Sequence, residues 1–213
     1  MRPTFSLLVF LALAMPATTT ASAEPKSLFD GKTFEGWEGD TEKTFKIEDG
    51  CIVAGSLDVV VPRNEFLCTR KSYGDFELKV KFKLIGDKTK ANAGIQFRTK
   101  RIPNHHEVSG FQADVGQDYW GALYDESRRN KVLAKPEKAV VEKLIKYEEW
   151  NEYTIRCEGN RIRLSLNGTQ TVDYTEMDEK IERNGVIGLQ IHGGAKSKVF
   201  YKDIRIEELK HAK

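Results

Sequence analysis

The chain has 213 residues, 34 basic and 32 acidic side chains, a formal net charge of +2 and 39% hydrophobic residues. Charges of both signs are mixed along it, which excludes the concentrated basic face of a nucleic-acid binder. No run after the first segment is apolar enough to cross a membrane as a helix, and the composition is that of an ordinary globular protein.

The first segment reads as a leader. Arg2 precedes an apolar run, Phe5 to Met15, that is too short to span a bilayer, and Ala21-Ser22-Ala23 supplies an A-x-A cleavage pattern. A signal peptide over residues 1–23 and one domain over residues 24–213 are expected, exported to a periplasmic or extracellular space. Asp30-Gly31 then marks a turn, and Trp37 is placed to anchor the opening segment. Phe45 to Val53 reads as a hairpin turning at Asp49-Gly50. Three cysteines come after the leader: Cys51, Cys68 and Cys157. Cys51 and Cys68, in successive predicted strands, are the candidate disulfide. The alternative is three small buried apolar side chains.

Phe76 to Leu84 alternates cleanly. Phe76, Leu78, Val80, Phe82 and Leu84 point one way, and Glu77, Lys79, Lys81 and Lys83 the other, a solvated outer face. The same period recurs through the central stretch, Asn92 to Glu126. Ile95, Phe97 and Thr99 alternate with Gln96 and Arg98, and Phe111, Ala113 and Val115 with Gln112 and Asp114. If these strands are neighbours, one surface carries Gln96, Arg98, Gln112 and Asp114, with Trp120 and Tyr124 at its edge. Planar donors, acceptors and flat rings of that kind suit a sugar.

Pro136 and the spacing of Val140, Val141, Leu144 and Ile145 predict one short helix near residues 137–146. Two strands meet at Asn167-Gly168, where a three-residue loop best keeps Val172 on the side of Leu164 and Leu166. In Val186 to His192, Ile187, Leu189 and Ile191 share one face, and Gly188, Gln190 and His192 the other. Phe200, Ile204 and Ile206 supply apolar positions of the closing strand. Many short strands, turns between them and a single helix predict an all-β antiparallel sandwich.

The segments SLFDGKTFEGW, FELKVKFKL, NAGIQFR, GALYDES, EWNEYTIRCEGNRIRLSLNG and GVIGLQIHGG, followed by FYKDIRI, resemble the 3-keto-disaccharide hydrolase domain family. The similarity runs from about Ser27 to Leu209. It implies a concanavalin A-like jelly roll, with ligand on the hollow face of one of two curved antiparallel sheets, and activity on sugars oxidised at C3. Many members carry a glutamate and then a glutamine on the central strand; Gln112 and Asp114 take those places here.

A ketone at C3 acidifies the C2 hydrogen. A base can remove it, the enolate expels the C1 substituent, and water adds back. Such a route needs a base, a stabiliser for the enolate oxygen and a proton source. Asp114 or His192 is the candidate base, and Arg98 the candidate clamp on the enolate oxygen. Gln96, Gln112 and Gln190 are candidates to read hydroxyls, Tyr124 to donate a proton and Trp120 to stack. Alternatively, Arg98 and Asp114 form an ion pair between strands, and Trp120 and Tyr124 are packing. His105 and His106 could be lid residues or merely exposed; with Glu107 and Asp114 they could bind a divalent metal, though their spacing names no metal motif. The expected partner is a small carbohydrate, either the substrate of an enzyme or the ligand of a binding module; an interaction domain of an exported complex is a third reading.

Overall fold

The computed structural model describes residues 24–210, so the expected leader lies outside the described residues. Two short strands, β1 (Lys26–Ser27) and β2 (Trp37–Glu38), precede the hairpin of β3 (Phe45–Glu48) and β4 (Cys51–Ser56). Then come β5 (Glu65–Tyr73), β6 (Phe76–Gly86), β7 (Asn92–Arg101) and β8 (Val108–Gly116). A 3-10 turn, Gln117–Tyr119, leads to β9 (Leu123–Glu126) and β10 (Lys131–Ala134). The helix α1 (Lys138–Leu144) falls inside the predicted window, and β11 (Asn151–Glu158), β12 (Arg161–Leu166), β13 (Thr169–Thr175), β14 (Gly185–Ile191) and β15 (Ser197–Glu208) complete the chain.

The strands form two antiparallel sheets. One runs β13-β12-β11-β6-β15-β4-β3, with β1 beside β15; the other runs β10-β9-β8-β7-β14-β5-β2. This is the jelly-roll sandwich expected from the alternation and the resemblance. Phe76, Leu78, Val80 and Phe82 of the first sheet pack in one core with Ile95, Phe111, Ala113 and Leu189 of the second. Each fully buried large apolar side chain contributes about 1.5–3 kcal/mol. On the first sheet's other face Lys79 is exposed, and Glu77, Lys81 and Lys83 are half-buried. Trp37 anchors the opening segment as expected, its Nε1 donating to Leu28 O at 2.7 Å.

Three details differ from the sequence reading. The Asn167-Gly168 turn has two residues, both left-handed (φ 50° and 82°), and Leu166 pairs directly with Thr169. The facing of Val172 is restored instead by a bulge, where the ladder slips between Leu164 and Ser165. Phe200 points outward beneath Lys83 and Lys198, because Val199 and Tyr201 take the core side. The candidate disulfide is not formed, and all three cysteines are free and buried. Ile52 and Ala54 are the core-facing residues of β4, so Cys51 faces outward from the first sheet; Cys68 lies on the outer side of the second, beside Phe66 and Val108. Burial pushes the thiols of Cys68 and Cys157 up to about 12, so both behave as apolar packing.

Candidate functional site

The antiparallel register lines up polar side chains on the outer face of the second sheet. Tyr124, Gln112 and Gln96 are successive partners across β9, β8 and β7. Asp114, Gly94 and Gln190 form the next row, across β8, β7 and β14. Although they face away from the core, Gln96 and Gln190 are 0% exposed, Gln112 2% and Asp114 3%. The β7–β8 loop covers part of this face. It reaches across β14 to Asn64, whose Nδ2 donates to Glu107 Oε1 at 3.0 Å, and His106 Nδ1 lies 3.1 Å from Asn64 O. Asn64 Oδ1 also accepts from Gly193 N at 3.0 Å, and Phe66, Cys68 and Val108 form a small apolar cluster on this side. His105 and His106 stack with ring centres 4.4 Å apart in this pinned loop.

What stays open is a hollow of about 170 Å3 lined by Asn92, Gln112, Asp114, Tyr124, Glu126 and His192, with Gln117 and Tyr119 at one side. A chain of amides runs into it. Gln96 Nε2 donates to Gln112 Oε1 at 2.6 Å, and Gln112 Nε2 donates to Asp114 Oδ1 at 2.6 Å. Gly94 makes room for this chain: a Cβ there would come within 2.4 Å of Gln112 Cδ. Burial pushes the Asp114 carboxyl well above its usual range, against the pull of the Gln112 amide. Burial first, and then the nearby Glu107 carboxylate, push Glu126 up to about 7. Gln190 lies close enough to Glu126 to favour its ionised form, yet both amide atoms of Gln190 lack a hydrogen-bond partner, as do Asn92 Oδ1 and Glu107 Oε2.

The first sheet holds this row from behind. The Tyr153 hydroxyl donates to Asp114 O at 2.5 Å and accepts from Gly121 N at 2.8 Å. The Tyr201 hydroxyl lies 2.6 Å from Gln190 O and 3.1 Å from Gly94 O, its single proton serving one at a time. So the backbones of all three residues in the Asp114 row are tied to side chains of the opposite sheet.

Of the eight residues singled out from the sequence, Asp114, His192, Gln112 and Tyr124 line the hollow. Gln96 joins it through the amide chain, and Gln190 lies beside Gly94 in the Asp114 row. His192 Nδ1 donates to Gly193 O at 2.7 Å, which fixes the tautomer and leaves Nε2 as the acceptor. Arg98 is elsewhere. Its φ of 46° and the ladder slip between Phe97 and Lys100 take it out of alternation. Its guanidinium, 1% exposed, reaches Gly74 O at 2.9 Å, Gly159 O at 2.7 Å and Asp75 Oδ1 at 2.8 Å. It therefore ties turns of both sheets together, and its ion-pair partner is Asp75 rather than Asp114. Trp120 is also off this face. The 3-10 turn and Gly121 (φ 78°) interrupt the strand, and Trp120 packs into the core 6.1 Å from Phe82. The metal arrangement of His105, His106, Glu107 and Asp114 is not assembled: among the described residues no group of three or more His, Cys, Asp or Glu side chains could hold an ion.

Asn92, Tyr119 and Glu126 also line the hollow and are not among those eight residues. The signal for two of them was present. Glu126 lies two residues after Tyr124 and Asn92 two before Gly94, so period-two alternation places both on the polar face.

Among solved structures, the chain is similar to a provisionally named glycosyl hydrolase from Parabacteroides distasonis ATCC 8503, at 20% identity and a TM-score of 0.65, over 87% of this chain and 94% of that one. It is similar to the carbohydrate binding module CBM66 from Bacillus subtilis, at 14% identity and a TM-score of 0.62, over 81% and 95%. It is also similar to a Bacillus subtilis protein of unknown function with a galectin-like fold, at 12% identity and a TM-score of 0.60, over 84% and 92%. At these identities the likeness establishes the fold. No curated protein matches the chain. The sequence matches the family described as the 3-keto-alpha-glucoside-1,2-lyase-like domain over residues 24–207, nearly all of the described chain, and the protein belongs to that family.

Proposed function

We propose that the protein is an exported enzyme that cleaves the glycosidic bond of 3-keto-glycosides or 3-keto-disaccharides by C2 proton abstraction, elimination and water addition. The observation that carries this reading is the pair of carboxyl groups, Asp114 and Glu126, lining one hollow with both titrations displaced upward. Family membership supports the substrate class, and the leader-like start supports export.

Glu126, which titrates near 7, is the base. It takes the C2 proton, and the electron pair moves onto the C3 oxygen. As the enolate collapses, the C1–O bond breaks and the leaving oxygen takes the proton of neutral Asp114. Water then adds to the C1=C2 bond, its hydroxyl going to C1 and a proton to C2. Gln112 and Asn92 are placed to read hydroxyls, the Tyr124 hydroxyl to donate to the enolate oxygen, and His192 Nε2 to accept from a neighbouring sugar hydroxyl. Arg98, committed to the turns, has no part in this.

A small hollow and a structural likeness to a carbohydrate binding module favour a second reading, a sugar-binding domain without chemistry. One experiment separates them. Methyl 3-keto-glucoside is incubated with the protein in deuterated water. Turnover with deuterium at C2 is expected, and Glu126→Gln lowers kcat by about 10²–10⁴-fold, the usual worth of a general base. Binding without turnover by the wild type establishes the second reading.

A further inference from the structure

Beside the Asp114–Glu126 hollow lies a larger one that the proposed chemistry does not use. It encloses about 650 Å3 at one end of the sandwich, against the β6–β7 loop, the 3-10 turn and α1. The two hollows share a wall, because Gln117 lines both. Gln117 is held there by its Nε2, which donates to Lys90 O at 2.9 Å. Trp120, lost to the polar face, lines this second groove. Tyr147 stands across from it with ring centres 6.0 Å apart and planes at 79°, and remains 39% exposed.

The charges of the groove point to its ligand. Lys88, Lys135 and Lys138 are matched by Asp118, Glu137 and Glu142. An ion would meet as many repelling as attracting groups. A neutral polyhydroxylated molecule meets donors, acceptors and aromatic surface together. The first hollow, about 170 Å3, is small beside ligand clefts of roughly 300–1,000 Å3 and seats one sugar ring at most. Whatever the C1 oxygen carries must lie outside it, and the groove is the neighbouring hollow, meeting it at Gln117.

Building on the reading of the small hollow as the seat of a 3-keto sugar, we infer that the groove between the 3-10 turn and α1 is the subsite for the leaving sugar, with Gln117 and Tyr147 as binding residues. A 3-keto-disaccharide or a longer oligosaccharide is then a better substrate than a glycoside of a small alcohol, which fills the small hollow alone.

Calorimetric titration of the mature chain with unoxidised glucose disaccharides, α-1,1 and β-1,4 linked, against methyl glucoside needs no chemistry to report. At least one disaccharide is expected to bind about tenfold tighter than the methyl glucoside. Tyr147→Ala, and separately Gln117→Ala, are expected to bring that ratio close to one. Affinities that do not differ in the wild type, absence of binding by all the sugars included, overturn the inference; so does a ratio that survives both substitutions. The chemistry is judged separately, by turnover of methyl 3-keto-glucoside. Turnover without disaccharide preference removes the subsite and keeps the reaction; preference without turnover keeps the subsite and removes the reaction.

Discussion

Glu126 and Asp114 share one hollow but answer to different neighbours. Asp114 is held by one amide and only its edge reaches the hollow, so burial dominates and holds its carboxyl well above the usual range. Glu126 feels burial first and the Glu107 carboxylate second. Its folded-state value of about 7, against a reference of 4.5, means that the base becomes active as pH rises through neutrality. Glu107→Gln removes the like charge and leaves the burial. The acidic limb of kcat/KM should move to lower pH by about half a unit to one unit, measured with methyl 3-keto-glucoside. A limb that stays in place, or moves up, rules out Glu126 as the titrating base. Arg98 carries the opposite lesson. Residue type and alternation alone made it a clamp for the substrate, but a left-handed φ of 46° at a bulge turned it toward the two turns.

At the scale of elements, β7, β8 and β14 build the site through register. Gly94 sits between Asp114 and Gln190 in its row and has no side chain to obstruct Gln112. Gly94→Ala would place Cβ against Gln112 Cδ and Cγ, at 2.4 and 2.8 Å, and push the amide off Asp114. Overpacking of this kind costs about 1–3 kcal/mol, and the displaced amide chain should raise KM for the sugar. Unchanged KM with Gln112 still bonded to Asp114 in a crystal structure of the variant would count against a role for the chain. The strands themselves were legible, since Phe76–Leu84 and Ile187–Ile191 alternate without interruption and bury the side predicted for them. The irregularities were not. A bulge opposite Leu164–Ser165, a two-residue turn at Asn167-Gly168 and the 3-10 turn before Trp120 each shift the facing of the next residues along the chain by one position.

Across the whole molecule, the two sheets act as support and site. Tyr153 and Tyr201 belong to the first sheet, yet their hydroxyls end on the backbone of the Asp114–Gly94–Gln190 row of the second. Tyr201→Phe should destabilise the fold by about 1–3 kcal/mol, because a buried carbonyl loses its donor. For a chain of this size each kcal/mol lowers Tm by about 2–4 °C, which thermal unfolding reads directly. A variant as stable as the wild type would show that the hydroxyl does not brace the row.

By itself the sequence determined the sandwich, the short helix after Pro136, the sheet face that carries the polar side chains, and the inclusion of Gln112, Asp114, Tyr124 and His192. Those features arise from the period of two along each strand, which is local and is written in residue order. Tertiary structure alone decided that Arg98 and Trp120 leave that face, that Glu126 feels the Glu107 carboxylate, and that the β7–β8 loop is pinned at Asn64. Each depends on a left-handed residue, a bulge or a contact between segments far apart in the chain, whose geometry is set only once both sheets are packed.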